Sequence, residues 1–259
     1  VTTKADAIRI RDLSKTYAGR GEGVVALEKV SFAVPEGDFI AVVGPSGCGK
    51  STLLKILAGL LPPSTGDALL RGTPITGARR DIGVVFQSPV LFPWRSVLDN
   101  VLLPVDVQGL DRAKHEQIAM DLLALVGLGG FERRYPWELS GGMQQRVAIT
   151  RALIHDPAML LMDEPFGALD AMTRELMNLE LQRIWLERRK TVLFITHSIP
   201  EAVFLADRVL VMTARPGRIM DDLEIVLPRP RPLEVMNTPA FGDYVRVIRA
   251  RFNVRGDLG

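Results

Sequence analysis

Cysteine is nearly absent from this chain: Cys48 is the only one among 259 residues. A single thiol closes no intramolecular disulfide and builds no cysteine-based metal cluster, which suits a reducing compartment. Long apolar runs are missing as well. No stretch reaches the about 18 consecutive apolar residues that a membrane-spanning helix needs. The opening Val1-Thr-Thr-Lys-Ala-Asp has no apolar core and does not read as a secretory signal. Net charge is small, 32 Lys+Arg against 30 Asp+Glu, too little for the electrostatic footprint of a nucleic-acid binder. The local excess lies in 228–259, with six Arg against three acids; such a mildly basic tail is more often a solvated surface than a binding site, and packing on the rest of the chain, regulating it or extending a contact between copies all stay open. There is no internal repeat and no low-complexity segment.

What is present is an ordinary globular composition, 47% apolar and 24% charged, long enough for one large domain or a domain with an insertion. Period-2 alternation or short apolar runs predict strands at 8–13, 24–34, 39–43, 82–86, 159–162 and 192–195. Helical spacing covers 51–61, 111–126, 142–155, 171–188, 200–206 and 240–252. Strands separated by helices predict an α/β fold with a largely parallel sheet. The stretch 88–141 lacks a buried strand and is expected to be a helical insertion. Pro228, Pro230, Pro232 and Pro239 break the chain beyond it, so the expected division is a domain at 1–227 and a Pro/Arg-rich extension at 228–259.

Gly44-Pro45-Ser46-Gly47-Cys48-Gly49-Lys50-Ser51, followed by Thr52, fits the phosphate-loop pattern G-x-x-x-x-G-K-[ST]. Chance supplies such a match in about 1% of chains this long. A buried strand before the loop and a helix after it supply the context the mechanism needs. Glycines let backbone N–H groups curl around phosphate oxygens, and the helix start adds a positive dipole end. Lys50 carries a mobile charge for the β- and γ-phosphates, and the Ser51 hydroxyl suits Mg²⁺. The motif predicts a nucleoside triphosphate site. Cys48 is read as a small filler within it.

Ala158-Met-Leu-Leu-Met-Asp163-Glu164-Pro165 ends an apolar strand in two carboxylates, which is costly unless that end meets solvent or a ligand. Beside a phosphate loop, Asp163 is the expected Mg²⁺ ligand. Glu164, where the chain turns, is the candidate base for the attacking water. His197 ends the apolar run Thr191 to Thr196.

Leu139-Ser140-Gly141-Gly142-Met-Gln-Gln145-Arg146 is a glycine turn opening a helix, hence a second anion site. It resembles the signature motif of the ATP-binding cassette (ABC) ATPases. The resemblance spans about residues 6–225 and implies a P-loop NTPase fold with a mostly parallel core sheet, an N-terminal antiparallel β region and a helical insertion subdomain. It implies ATP and Mg²⁺ as ligands, and a head-to-tail homodimer in which Ser140, Gly141, Gly142 and Gln145 of one protomer face the ATP of another. By the same resemblance Tyr17 stacks on adenine, Gln87 touches Mg²⁺ and the attacking water, and Gly167-Ala-Leu-Asp170 communicates across the dimer. His197 contacts the γ-phosphate. More narrowly, Ser88-Pro-Val-Leu-Phe92-Pro93-Trp94-Arg95 and Thr213-Ala-Arg-Pro-Gly-Arg218 are similar to the nitrate/sulfonate/taurine importer ATPases.

The resemblance therefore implies an ATP-hydrolysing subunit on the cytoplasmic face of a bacterial inner membrane. It would dock on a separate integral-membrane permease and act indirectly with an extracytoplasmic solute-binding protein. The alternative is an ABC-type ATPase of a soluble nucleic-acid machine. The 88 residues between Lys50 and Leu139 leave no room for the long coiled coil of the DNA-repair members. One cassette rather than two argues against the translation type.

Overall fold

The computed structural model describes residues 5–18 and 23–253. The outer ends of the two expected domains, 1–4 and 254–259, with Arg255 of the basic tail, lie outside the described residues. The chain divides into two compact units, Val1–Arg79 with Arg189–Gly259, and Arg80–Arg188.

The first unit holds a buried strand and its flanks. β3 (Phe39–Val43) is buried at all five positions, as is β8 (Thr191–Thr196) at all six, and the two run parallel with Phe39 opposite Val192. Strands covered on both faces read as continuous apolar runs rather than alternation. β9 (Arg208–Met212) lies parallel on the other side of β3, and β10 (Ile219–Glu224) runs antiparallel to β9. An antiparallel sheet is built from β1 (Asp6–Tyr17), β2 (Val24–Pro35), β4 (Thr65–Leu70) and the two-residue β5 (Thr73–Pro74). Its inward face buries Ile8, Ile10, Leu13, Leu27, Val30 and Val34.

Among the described residues three α-helices complete this unit, α1 (Lys50–Leu57), α7 (Ile199–Leu205) and α8 (Pro239–Asn253), with a 3-10 turn at Leu233–Asn237. α1 stops at Leu57, short of the predicted Leu61. Gly59 follows at φ 70°, where a Cβ would lie 1.9 Å from the Gly77 carbonyl oxygen. Of the readings open for the extension, packing is the one Arg231 takes, at 1% exposed.

The second unit pairs β6 (Ile82–Val85) with β7 (Met159–Asp163) in parallel and surrounds them with helices. These are α2 (Val97–Val101), α3 (Leu103–Gln108), α4 (Arg112–Leu125), α5 (Gly141–Leu153) and α6 (Ala171–Arg188). Between 88 and 141 the described elements are all helical, with a 3-10 turn at Pro136–Glu138. Fully buried Asn100 holds the segment that enters α2: it accepts from the Phe92 N–H and donates to the carbonyls of Phe92, Arg95 and Ser96.

An ion network ties α2, α3 and α4 together. Arg112 donates to Asp99 at 2.5 Å and to Asp106 at 2.7 Å, and Arg95 donates to Asp106 at 2.9 Å. The Ser96 hydroxyl, with help from Arg112, holds the Asp99 carboxyl below its ordinary range. Burial pushes Asp106 up, but hydrogen bonds from Arg112 and Arg95 outweigh it and leave it lowered too. A lowered carboxylate stabilises fully above its unfolded value of 3.8 and loses that contribution as pH falls through the lower folded value. Asp106→Asn should therefore cost about 0.5–1 kcal/mol at pH 7, the scale of a part-exposed ion pair. In urea denaturation the two proteins should converge in acid; an undiminished gap there would remove the electrostatic account.

Candidate nucleotide-hydrolysis site

In the first unit, β3 ends at Val43 and the chain enters the loop 44–49 before α1. Close approach is why glycines stand here. Gly49 sits at φ 107°, and a Cβ on it would lie 2.7 Å from the Ala26 carbonyl oxygen. Cys48 is 1% exposed, and its sulfur would lie 2.9 Å from a Cβ on Gly44, so the small filler reading holds in space. Lys50 is 5% exposed and folds back over the loop, its Nζ donating to the Gly44 carbonyl at 2.7 Å and the Pro45 carbonyl at 3.0 Å. Ser46, Gly47 and Ser51 are exposed. The first-turn amides of α1 are those an α-helix cannot pair internally, so the loop and helix start together form an anion cradle.

Two further candidates lie in the same unit. The Tyr17 ring is half-exposed at the end of β1, with its hydroxyl 3.2 Å from Thr52 Oγ1. Lys15 Nζ lies 5.6 Å from the ring centroid. His197 stands exposed immediately after β8, between Thr196 and Ser198. Arg215, within the importer-like segment Thr213–Arg218 but not among the expected site residues, also belongs here. It lies in the turn after β9 and donates through Nε and Nη2 to the Gly47 carbonyl, each at 3.2 Å. In the same turn, a Cβ on Gly217 would lie 2.1 Å from the Cys48 carbonyl oxygen. Thr213–Arg218 thus straps the phosphate loop, a role that no sequence spacing signals across 168 residues.

In the second unit β7 ends with Asp163, and Glu164 follows in the left-handed region at φ 45°. That turn frees Glu164 from the alternation that would otherwise set its side chain opposite to that of Asp163. Non-glycine residues rarely adopt this backbone, and such residues concentrate at functional sites. Gly167 closes the turn through its N–H to the Glu164 carbonyl at 3.0 Å. A Cβ on Gly167 would lie 3.2 Å from Gln87 Nε2 and 3.7 Å from Glu164 Oε2. The Gln87 and Glu164 side chains therefore both border the bare face of Gly167.

The signature residues open α5. Ser140 is the N-cap, its Oγ accepting from the Met143 N–H at 3.3 Å, and both Ser140 and Gly141 are exposed. Gly142 is buried, and a Cβ there would lie 3.1 Å from the Thr173 methyl. Gln145 faces inward, 2% exposed, and donates to the Phe86 carbonyl at 3.3 Å, one residue before Gln87. Asp170 is exposed and caps α6, accepting from the Thr173 N–H at 3.1 Å; bonds from the Thr173 hydroxyl and N–H hold its carboxyl below the ordinary range.

Ser51 in the first unit, and Gln87 and Asp163 in the second, each carry a side-chain oxygen of the kind Mg²⁺ takes, and among the described residues no three His, Cys, Asp or Glu gather into a metal cage. Mg²⁺ is held mostly by one or two carboxylates, waters and substrate phosphates rather than by such a cage. A buried parallel strand, a glycine loop with a buried lysine and a following helix define a P-loop nucleotide-binding protein.

The family model described as "ABC transporter" matches residues 27–167, more than half of the chain. The chain belongs to that family and is an ABC ATPase. It is 46% identical over 258 residues to the taurine import ATP-binding protein TauB of Rhizobium johnstonii, covering 97% of this chain and 98% of that one. It is 41% identical over 249 residues to the aliphatic sulfonates import ATP-binding protein SsuB of Bacillus cereus, covering 96% and 97%. Among solved structures, the dimeric bacterial ABC transporter cassette MJ0796 aligns with a TM-score of 0.75 at 33% identity, covering 85% of this chain and all of that one. The same cassette in a post-hydrolysis state bound to ADP and Pi aligns at 0.74.

Proposed function

We propose that this chain powers a bacterial ABC importer for a small anion or organic solute such as nitrate, a sulfonate or taurine. The observation that carries the dimeric mechanism is the exposed Ser140–Gly141 opening of α5, where first-turn amides face outward from the helix start. The import ATP-binding relatives, similar over nearly the whole chain, support the transport reading. Residues 1–227 act as one cassette, with 88–141 as its helical insertion and 228–259 as an extension.

Two copies close head to tail on two ATP molecules. In each site residues 44–52 cradle the phosphates, Tyr17 holds the adenine, and Ser140, Gly141, Gly142 and Gln145 of the second copy cover the γ-phosphate. Ser51, Asp163 and Gln87 would hold Mg²⁺, which would supply charge neutralisation at the phosphate oxygens. Glu164 takes the proton of the attacking water, His197 fixes the γ-phosphate and Asp170 links the two copies. Most of the rate comes from positioning and charge neutralisation, as in phosphoryl transfer generally. Closure drives the integral-membrane permease, and a solute-binding protein outside the membrane delivers the cargo. The proposed attachment is peripheral, through the permease on the cytoplasmic face; among the described residues no helix is long and apolar enough to cross a membrane.

Co-purification from membranes, with mass spectrometry and ATPase assay of the recovered complex, tests this. A polytopic permease whose ATPase rises with loaded binding protein is expected. Recovery of soluble partners or nucleic acid alone, with ATPase indifferent to membranes, would overturn it. Ser140→Arg tests the dimer separately. It should leave single-chain ATP affinity within about twofold while removing hydrolysis, because a bulky cation at an anion site loses the capping contacts. Full activity would mean that Ser140 faces no nucleotide.

A further inference from the structure

Arg231 is 1% exposed, within an extension whose sequence suggests a solvated surface. Its guanidinium donates to five backbone carbonyls. Nη1 reaches Val203, Phe204 and Ala206 at 2.8–2.9 Å, while Nε and Nη2 reach Ile225 and Leu227 at 3.2–3.3 Å. The first three belong to the C-terminal end of α7, where a helix leaves its last four carbonyls without internal partners. The fourth, Leu205, accepts from Arg229, whose Nε also bonds Asp207 at 2.9 Å. Two arginines of the extension thus satisfy the whole helix end. The positive charge suits the negative pole of the helix, although burial, with Arg229 nearby, lowers Arg231 to about 10.

The other end of α7 is held as closely. Thr196 Oγ1 donates to Glu201 at 2.5 Å and accepts from the Ser198 N–H at 3.0 Å, and Ser198 caps the helix. Between Thr196 and Ser198 stands His197. α7 has seven residues, about 10 Å of rigid helix. α8 packs along it, burying Phe241, Ile248 and Phe252, and the Tyr244 hydroxyl accepts from the Val226 N–H at 3.0 Å. A desolvated guanidinium is an expensive way to cap a helix that water or glycine would also end. Its value lies in fixing where the helix stands.

We propose that Arg231 is a positioning residue for His197: by clamping the far end of α7, the Pro/Arg-rich extension sets the histidine at the near end and so governs the rate of ATP hydrolysis rather than ATP affinity. This rests on the reading of His197 as the γ-phosphate contact. The test is a double-mutant cycle in the full chain with Arg231→Met, Arg231→Lys and His197→Ala. It records kcat and KM in the steady state, with single-turnover hydrolysis for weak variants. Arg231→Met should lower kcat about tenfold with KM within about twofold, and Arg231→Lys should fall between it and the parent. In the His197→Ala background Arg231→Met should cost less than about twofold, because the interaction it serves is already gone.

Equal losses in both backgrounds, a parallel rise in KM, or an unchanged kcat would overturn the proposal. Full turnover by His197→Ala would sink the histidine reading and this proposal with it; deep loss in His197→Ala with additive Arg231 effects would sink this proposal alone. Should Arg231→Met fail to fold, Tyr244→Phe loosens the same strap from its half-buried side. Its smaller kcat loss should also vanish in the His197→Ala background, and additivity would count against the proposal.

Discussion

Glu164→Gln is expected to reduce steady-state ATP turnover by about 10²- to 10⁴-fold, the usual contribution of a positioned general base. ATP binding should survive, because the substitution keeps the shape of the side chain and removes only its capacity to take a proton. The backbone argument agrees: Glu164 occupies φ 45°, which glutamine tolerates about as well as glutamate, so the turn closed by Gly167 remains. With ATP bound and hydrolysis blocked, the closed dimer should accumulate. Phosphate release and ATP-dependent size-exclusion elution are the two readings. Rapid turnover by the variant would assign the base elsewhere.

Lys50→Ala is expected to weaken ATP binding by about 1.5–3 kcal/mol, the range of a hydrogen bond to a charged group, or roughly tenfold to more than a hundredfold in Kd. Lys50 Nζ lies on the Gly44 and Pro45 carbonyls, within the loop proposed to cradle the phosphates. Removing it withdraws a charge from the ligand and a donor from two loop carbonyls at once. Lys50→Met, which refills much of the volume, separates the two effects. If it matches the alanine variant, the charge dominates. Fluorescent-nucleotide titration gives both affinities, and near-normal binding by both variants would contradict the cradle.

Much of this arrangement was legible where the chemistry is contiguous. β3 and α6 match their predicted limits, and β7 and β8 differ by at most one residue at an end. Four strands escaped notice for different reasons. β9 carries the same signal as β8, with Val209 to Met212 all buried, and was available to the same reasoning. β10 contains Asp221 and Asp222, whose polarity hides it. β4 bends at Gly66, φ 77°, against Asp12, so its alternation is broken, and β5 is two residues long. The motif residues show the same division. A phosphate loop or signature declares itself through adjacent residues, whereas the Arg215 strap and the Gly167 face exist only after folding. The burial of Arg231 is illegible for a further reason: arginines among prolines carry no apolar pattern, yet this one is 1% exposed.

The left-handed backbone at Glu164 also bears on how the protein is improved. A glutamate there costs about 1 kcal/mol or more against glycine, and asparagine is tolerated better. Any procedure that chooses residues for compatibility with the backbone will therefore exchange Glu164 for one of these and return a more heat-resistant chain that no longer turns over. In a variant library ranked by melting temperature, the winners at position 164 should be the inactive ones, so selection there has to score phosphate release.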